Sequence, residues 1–111
     1  NAGTTTIEAL WMGVPVVTRA DRPSVGRFGA AILGAVGLDG WVTHDDDAYV
    51  ARAVSGAQDR AGLTRLRRDL RARFSASPLR DAAGLARAME GAYRSLWEAW
   101  RSRTDLAFAA E

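Results

Sequence analysis

The sequence has 111 residues, of which 48% are hydrophobic, and this fits one globular domain or part of one rather than a disordered chain. The absence of cysteine excludes a disulfide framework and a thiolate metal site, and no apolar run approaches the roughly 20 residues of a membrane span. All 15 basic residues are Arg, which excludes a lysine Schiff base, and the net charge of +2 is modest. These features agree with a cytoplasmic protein that has no membrane partner.

The N-terminal stretch predicts a turn, a short helix and a short strand. Ile7, Leu10 and Trp11 recur at helical spacing, and Gly13 follows as a helix stop. Residues 14–18 are rich in valine, which is typical of a strand. The predicted order is therefore loop, helix, turn and strand.

The start of this first helix has the composition of a phosphate-binding turn. Gly3 allows close approach of the backbone, and the first helical amides have no partner within the helix. With the helix dipole, these amides and the hydroxyls of Thr4, Thr5 and Thr6 suit phosphate oxygens. Glu8 lies one turn later, where its carboxylate can accept hydrogen bonds from a ribose diol. A plain helix cap fits the same residues, so both interpretations stay open at this point.

A polar connector at residues 19–23 precedes a helix predicted at residues 25–36. Ser24 is the expected cap of this helix and Gly37 its stop. Arg27 lies in the first turn, after a strand end where α/β proteins place ligand-binding residues, so it is either a cleft residue or a surface arginine. Residues 38–43 then predict a turn and a very short strand, with Trp41 packed beneath it.

His44 is the single histidine, and it precedes three aspartates. No orienting partner or nucleophile accompanies the histidine, so we do not expect a catalytic base. No cluster of metal ligands is visible either, so we expect neither a metal nor a cofactor. The aspartates fit better as the cap and first turn of a helix over residues 46–58. The apolar positions of that helix are Tyr49, Val50, Ala53 and Val54.

Asp59 predicts the cap of a further helix that ends near Ser75. Its apolar stripe consists of Leu63, Leu66, Leu70 and Phe74. The rest of its surface carries Arg65, Arg67, Arg68, Arg71 and Arg73. Such a cluster can bind nucleic acid, but Asp69 interrupts it and no aromatic residues alternate with the arginines. We therefore expect a solvated helix face and no nucleic-acid partner.

Pro78 interrupts the chain, because the residue before a proline disfavours helix, and Asp81 then predicts the cap of a last helix over residues 82–103. Residues from Thr104 onward have no clear period and are expected to fray. The apolar stripe of this helix suits docking on another protein surface. It consists of Leu85, Met89, Tyr93, Leu96 and Trp100, with Trp97 at its edge.

Residues 3–18 resemble the nucleotide-binding segment of the O-linked N-acetylglucosamine transferase family, the SPINDLY-like glycosyltransferases. The similarity continues in order through residues 25–33, 45–50, 76–79 and 92–97. It implies an α/β fold, namely the C-terminal half of a GT-B Rossmann-like domain that is helix-rich with a few short parallel strands. Residues 1–75 would form a partial nucleotide-sugar-binding domain, and residues 76–111 a C-terminal helical segment that packs on it or crosses to a partner domain.

The resemblance also implies a function, the transfer of N-acetylglucosamine from a UDP-sugar to Ser or Thr of a protein or peptide acceptor. It places Gly3, Thr4 and Thr5 at the UDP diphosphate and Glu8 at the ribose. Thr6 and Arg27 are further candidates for contact with the substrate. Some relatives have His in place of Gly3, so an imidazole contact to the donor is absent here, and some have Asp in place of Glu8.

The resemblance places the family's essential lysine and its uracil-binding residues upstream of this sequence, together with any tetratricopeptide repeats. The 111 residues alone are therefore expected to be inactive. Two alternatives stay open on the residues themselves, another GT-B sugar-nucleotide enzyme and a non-enzymatic module that uses its arginine-rich helix. Steep salt dependence without a response to UDP would favour the module. The arginine-only composition leads us to expect a GC-rich, bacterial source.

Overall fold

The computed structural model describes residues 3–20 and 26–108, with side chains described as far as residue 103. Five helices and two short strands occur in these ranges. They are α1 (Thr4–Trp11), β1 (Thr18–Arg19), α2 (Arg27–Ala35), β2 (Val42–Thr43), α3 (Asp46–Gln58), α4 (Arg60–Ala76) and α5 (Ala82–Phe108). Single 3-10 turns occur at Asp39–Trp41 and Pro78–Arg80. The predicted Ser24 cap and most of the connector before it lie outside the described residues.

The strands form a parallel pair with α2 between them in sequence, which confirms a helix-rich α/β chain. Thr18 pairs with Val42 and Arg19 with Thr43. The predicted strand over residues 14–18 is wrong for most of its length, because β1 begins only at Thr18. Valine-rich composition favours extended backbone, but a strand also needs a neighbour, and β2 offers only two residues.

The helix ends follow the sequence signals closely. Gly13 and Gly37 both adopt positive φ, at 79° and 70°, and they follow the last residues of α1 and α2 as predicted. Aspartate side chains accept a backbone hydrogen bond at the start of the three later helices: Ala48 N to Asp45 at 2.7 Å, Gly62 N to Asp59 at 2.8 Å, and Gly84 N to Asp81 at 2.7 Å. These local contacts fix where each helix begins and ends.

One core holds α1, α2 and α4 together. Leu10, Leu33 and Leu70, one from each helix, are fully buried. Burying each such side chain stabilises the fold by about 1.5–3 kcal/mol. The rest of the core consists of Ile32, Val36, Leu38 and Phe74. The predicted stripe of α4 is therefore confirmed, with Leu70 and Phe74 buried and Leu66 packed against them.

The apolar residues of α3 do not form the buried face of this helix. Tyr49, Val50 and Val54 are exposed, whereas Gly56 is buried and Arg52 half-buried. Trp41 causes this arrangement, because its indole lies against Gly56 and beneath the Arg52 guanidinium, whose Cζ is 3.9 Å from the ring centroid. Trp41 is itself half-buried and packs against the core, so its predicted packing is confirmed in part.

The chain divides into two units, one through Arg80 and one from Asp81. The second unit is essentially α5, which remains helical through Phe108, so the expected fraying from Thr104 is wrong over that range. All six residues of its predicted apolar stripe are exposed. Trp97 and Trp100 stack with ring centroids 5.1 Å apart. None of the described helices combines the length and apolar character that crossing a membrane requires.

Candidate functional site

The carboxyl ends of β1 and β2 meet at one edge of the sheet, and the helices that follow them start there. Thr43 Oγ1 donates to the Thr18 carbonyl at 3.0 Å, and Ala20 N donates to the Thr43 carbonyl at 2.8 Å. Parallel α/β folds bind ligands at this edge, because loops and helix N-termini converge on it. Helices in such folds run opposite to the strands, so the start of α1 is expected at the same edge.

The start of α1 presents backbone and hydroxyl donors. Gly3 occupies the N-cap position with helical backbone angles, and its carbonyl accepts from Ile7 N at 3.2 Å. Glycine offers no side chain to cap the helix, so the amides of Thr4 and Thr5 have no acceptor within it. Both threonine side chains are exposed. The geometry thus leaves donors at a helix N-terminus, as an anion requires.

The other predicted contact residues fall into two groups. Glu8 is exposed one turn beyond Thr4 and Thr5, and Arg27 is exposed as the first residue of α2. Thr6, in contrast, has only 3% of its surface exposed. A buried hydroxyl is poorly placed for an incoming substrate, so Thr6 is the weakest of the candidates. The ligand roles of all these residues stay predictions.

An ion pair at this edge escaped the sequence analysis. Arg19 at the end of β1 donates through Nη1 to a carboxylate oxygen of Asp46, the first residue of α3. The two residues are far apart in sequence, and only the parallel pairing of β1 with β2 brings them together. The pair ties the carboxyl end of one strand to the helix that follows the other.

His44 and the aspartates behave as the sequence predicted. His44 is exposed after β2, Asp45 caps α3, and Asp46 and Asp47 lie in the first turn of that helix. No group of three His, Cys, Asp or Glu residues within the described ranges is arranged to hold a metal ion. The expectation of a metal-free, cofactor-free site stays a prediction.

A cavity of about 450 Å³ lies away from this edge, between the turn that precedes β2 and helices α3 and α4. Trp41 and Arg52 form part of its wall, opposite Arg65, Asp69 and Arg73 of α4. The turn enters the amino end of β2, so the cavity lies at the opposite end of that strand from the start of α3. It contains none of the predicted substrate residues.

Comparison with known proteins gives one consistent family. The profile of glycosyl transferase family 41 matches residues 1–89. The chain is 43% identical over 94 residues to a probable UDP-N-acetylglucosamine–peptide N-acetylglucosaminyltransferase SPINDLY of Solanum lycopersicum, a match that covers 85% of the chain and 10% of the relative. It is 42% identical over 94 residues to the protein of the same name from Hordeum vulgare, with the same coverage.

A more distant relative carries a different protein name. The chain is 31% identical over 98 residues to the probable UDP-N-acetylglucosamine–peptide N-acetylglucosaminyltransferase SEC of Arabidopsis thaliana, across 87% of the chain and 10% of the relative. The chain thus spans about one tenth of the length of these curated relatives. All three are plant proteins, so the expectation of a bacterial source is not supported.

Proposed function

Because the chain belongs to glycosyl transferase family 41, we propose that it forms the part of a protein O-glycosyltransferase that holds the diphosphate and ribose of a UDP-sugar. The names of the relatives supply the donor, UDP-N-acetylglucosamine, and a peptide acceptor. Ser and Thr hydroxyls of the acceptor are the proposed sites of transfer. A different sugar nucleotide or a purely nucleic-acid-binding module is not favoured by these names.

The observation that carries the proposal is the start of α1. The amides and exposed hydroxyls of Thr4 and Thr5 follow Gly3, which leaves the helix N-terminus open. Diphosphate oxygens fit these donors, since the helix dipole and the unpaired amides both favour an anion. Glu8, exposed one turn further, is the proposed acceptor of hydrogen bonds from the two hydroxyls of a ribose.

The same donors have a role in the reaction. When the bond between the sugar and the diphosphate breaks, negative charge grows on the departing phosphate oxygen. Donors already aimed at that position stabilise the charge without having to reorganise. Each hydrogen bond to the charged group contributes about 1.5–3 kcal/mol. The proposed role of Thr4 and Thr5 is therefore to bind the donor and to stabilise the leaving group.

The family's essential lysine and the uracil-binding residues are proposed to belong to another part of a longer protein, since the relatives are about ten times as long as the matched segment. A GT-B arrangement of two Rossmann-like domains, with tetratricopeptide repeats beyond them, is the proposed context. Within it, the exposed stripe of α5 is proposed to pack on the partner domain. Trp97 and Trp100 would provide much of that contact, because large aromatic side chains bury the most apolar surface.

An amide NMR titration of the 111-residue chain with UDP tests the proposed function. Shifts confined to residues 3–8, absent with uridine alone, would support binding of the diphosphate at the start of α1. A Thr5→Val variant should weaken these shifts. Shifts that occur only in α4, or that duplex DNA reproduces, would contradict the proposal and favour an arginine-dependent binding module.

A further inference from the structure

One flank of α4, together with the 3-10 turn that follows it, carries a basic surface that the proposed transfer reaction does not use. Residues 60–80 contain seven Arg and a single Asp, although the net charge of the whole chain is only +2. Arg67, Arg71 and Arg80 are all exposed. None of the three forms an ion pair within the described part of the chain. Asp69 lies on the other side of α4, where it lines the cavity beside Trp41.

Two of these arginines stack on the indole ring of Trp11 in α1. The Cζ atom of Arg71 lies 4.6 Å from the centroid of the indole ring, and that of Arg80 lies 5.5 Å from it. Phe74 meets the same ring edge-on, with centroids 5.8 Å apart. Stacking restricts the guanidinium groups before any ligand arrives, so less side-chain entropy is lost when they bind a carboxylate.

A partly apolar hollow adjoins the basic side chains. It has a volume of about 310 Å³ and is lined by Gly13, Val14, Pro15, Leu63, Thr64 and Arg67. Arg67 thus borders the hollow and also lies one helical turn before Arg71. The packing here is close, because a Cβ on Gly13 would be 2.8 Å from the Arg67 carbonyl oxygen. The neighbouring Met12 side chain is 62% exposed.

We propose that this basic groove, defined as Arg67, Arg71 and Arg80 together with the hollow, binds an acidic protein segment that carries an apolar side chain. The carboxylates pair with the three guanidinium groups, and the apolar side chain enters the hollow beside Leu63. Arginine suits carboxylates in particular, because its planar fork donates two parallel hydrogen bonds. The groove requires no sugar nucleotide, so peptide binding there does not depend on the proposed function.

A protein segment fits the groove better than nucleic acid does. Trp11 is the aromatic residue at the groove, and Arg71, Arg80 and Phe74 already cover it. Single-stranded nucleic acid depends on free aromatic faces for base stacking, and its phosphates offer nothing apolar to the hollow. An acidic segment with one apolar side chain matches both the charge and the hollow.

Fluorescence anisotropy with a short labelled peptide of Glu and Asp that contains one central Leu tests the inference. The 111-residue chain should bind it in low salt and release it as salt is raised. Replacing Arg67, Arg71 and Arg80 together by Gln should weaken binding about tenfold, as expected for three exposed ion pairs. Replacing the Leu of the peptide by Ser should weaken binding by a further factor of about ten.

The matched control makes the same charge change on α5, with Arg87, Arg94 and Arg101 replaced by Gln, and should leave the affinity unchanged. Arg71→Lys combined with Arg80→Lys keeps the charge but loses the planar forks and their stacking on Trp11, so it should weaken binding, though less than the triple Gln variant does. Thermal unfolding by circular dichroism verifies that each variant folds. The inference is overturned if the α5 control loses as much affinity or if the peptide does not bind. It is equally overturned if single-stranded DNA, or vesicles of phosphatidylcholine with one fifth phosphatidylserine, bind the groove more tightly than the peptide does.

Discussion

Gly29 of α2 lies so close to Thr18 of β1 that no side chain fits between them. A Cβ built on Gly29 would be 2.4 Å from the Thr18 hydroxyl oxygen and 3.0 Å from its Cβ. Thr18 is itself buried, with 5% of its surface exposed, and pairs with Val42 of β2. The helix after β1 therefore packs directly on the strand pair, with Gly29 as the point of closest approach.

Gly29→Ala is expected to lower the free energy of unfolding by about 1–3 kcal/mol, because the added methyl group overpacks a buried contact. This loss outweighs the gain of about 0.5–1 kcal/mol that Ala normally brings to a helix interior. Urea unfolding followed by circular dichroism measures the change. Gly34→Ala in the same helix is the control, since its nearest atom is the Asp39 carboxylate at 3.4 Å. Equal losses at both positions would show that the Thr18 contact is not the cause.

The contact between Arg52 and Trp41 gives a second prediction. With the guanidinium 3.9 Å from the ring centroid, Arg52→Ala should lower the free energy of unfolding by about 0.5–1 kcal/mol, and Arg52→Lys by less. Chemical denaturation monitored by circular dichroism is the measurement. Arg65→Ala serves as control, because Arg65 is exposed in the wall of the same cavity without a ring contact. If Arg65→Ala lowers the free energy of unfolding by as much, the charge of the cavity wall stabilises the fold and the stacking on Trp41 does not.

Local signals in the sequence predicted most of the helix boundaries. Asp45, Asp59 and Asp81 cap helices, and Gly13 and Gly37 end them, because each effect depends on neighbours within four residues along the chain. The start of the candidate site, at the N-terminus of α1, could be located for the same reason. Its chemical role came from a family resemblance rather than from spacing.

Features that depend on distant residues were missed. The extent of β1 depends on how much of β2 lies beside it, which composition does not reveal. The Arg19–Asp46 ion pair and the two arginines that stack on Trp11 bring together residues from separate elements. The inward face of α3 could not be identified from its apolar pattern. Trp41 packs against Gly56 and Arg52 of this helix, while Tyr49 and Val50 remain exposed.

The third prediction concerns the hydroxyls at the start of α1. A Thr4→Val, Thr5→Val double variant keeps the shape of both side chains and removes their donors, so binding of UDP should weaken by roughly tenfold or more. Isothermal titration calorimetry of the 111-residue chain measures the affinity. Thr64→Val is the matched control, since its exposed hydroxyl donates to the Arg60 carbonyl within α4 at 2.9 Å. If the double variant binds UDP with unchanged affinity, the two hydroxyls do not contact the ligand. The backbone amides would then be the only donors at the start of α1 that bind the diphosphate.

The last prediction tests whether Glu8 contacts the ribose or the phosphates of UDP. A carboxylate beside the start of α1 accepts hydrogen bonds from ribose hydroxyls but repels phosphate charges. Glu8→Ala should therefore weaken UDP binding about fivefold to tenfold, as expected for the loss of hydrogen bonds to a charged group that water partly screens. Binding of inorganic pyrophosphate should stay the same or become tighter, because the repulsive charge is gone while the amides of Thr4 and Thr5 remain.

Glu8→Gln provides the intermediate case, because its amide oxygen still accepts a hydrogen bond although the charge is lost. It should keep part of the UDP affinity and bind pyrophosphate as Glu8→Ala does. Equal weakening of UDP and pyrophosphate in Glu8→Ala would mean that the residue supports the helix rather than the ribose. Tighter binding of both ligands would place Glu8 next to the phosphates alone, so the ribose would have to be held elsewhere.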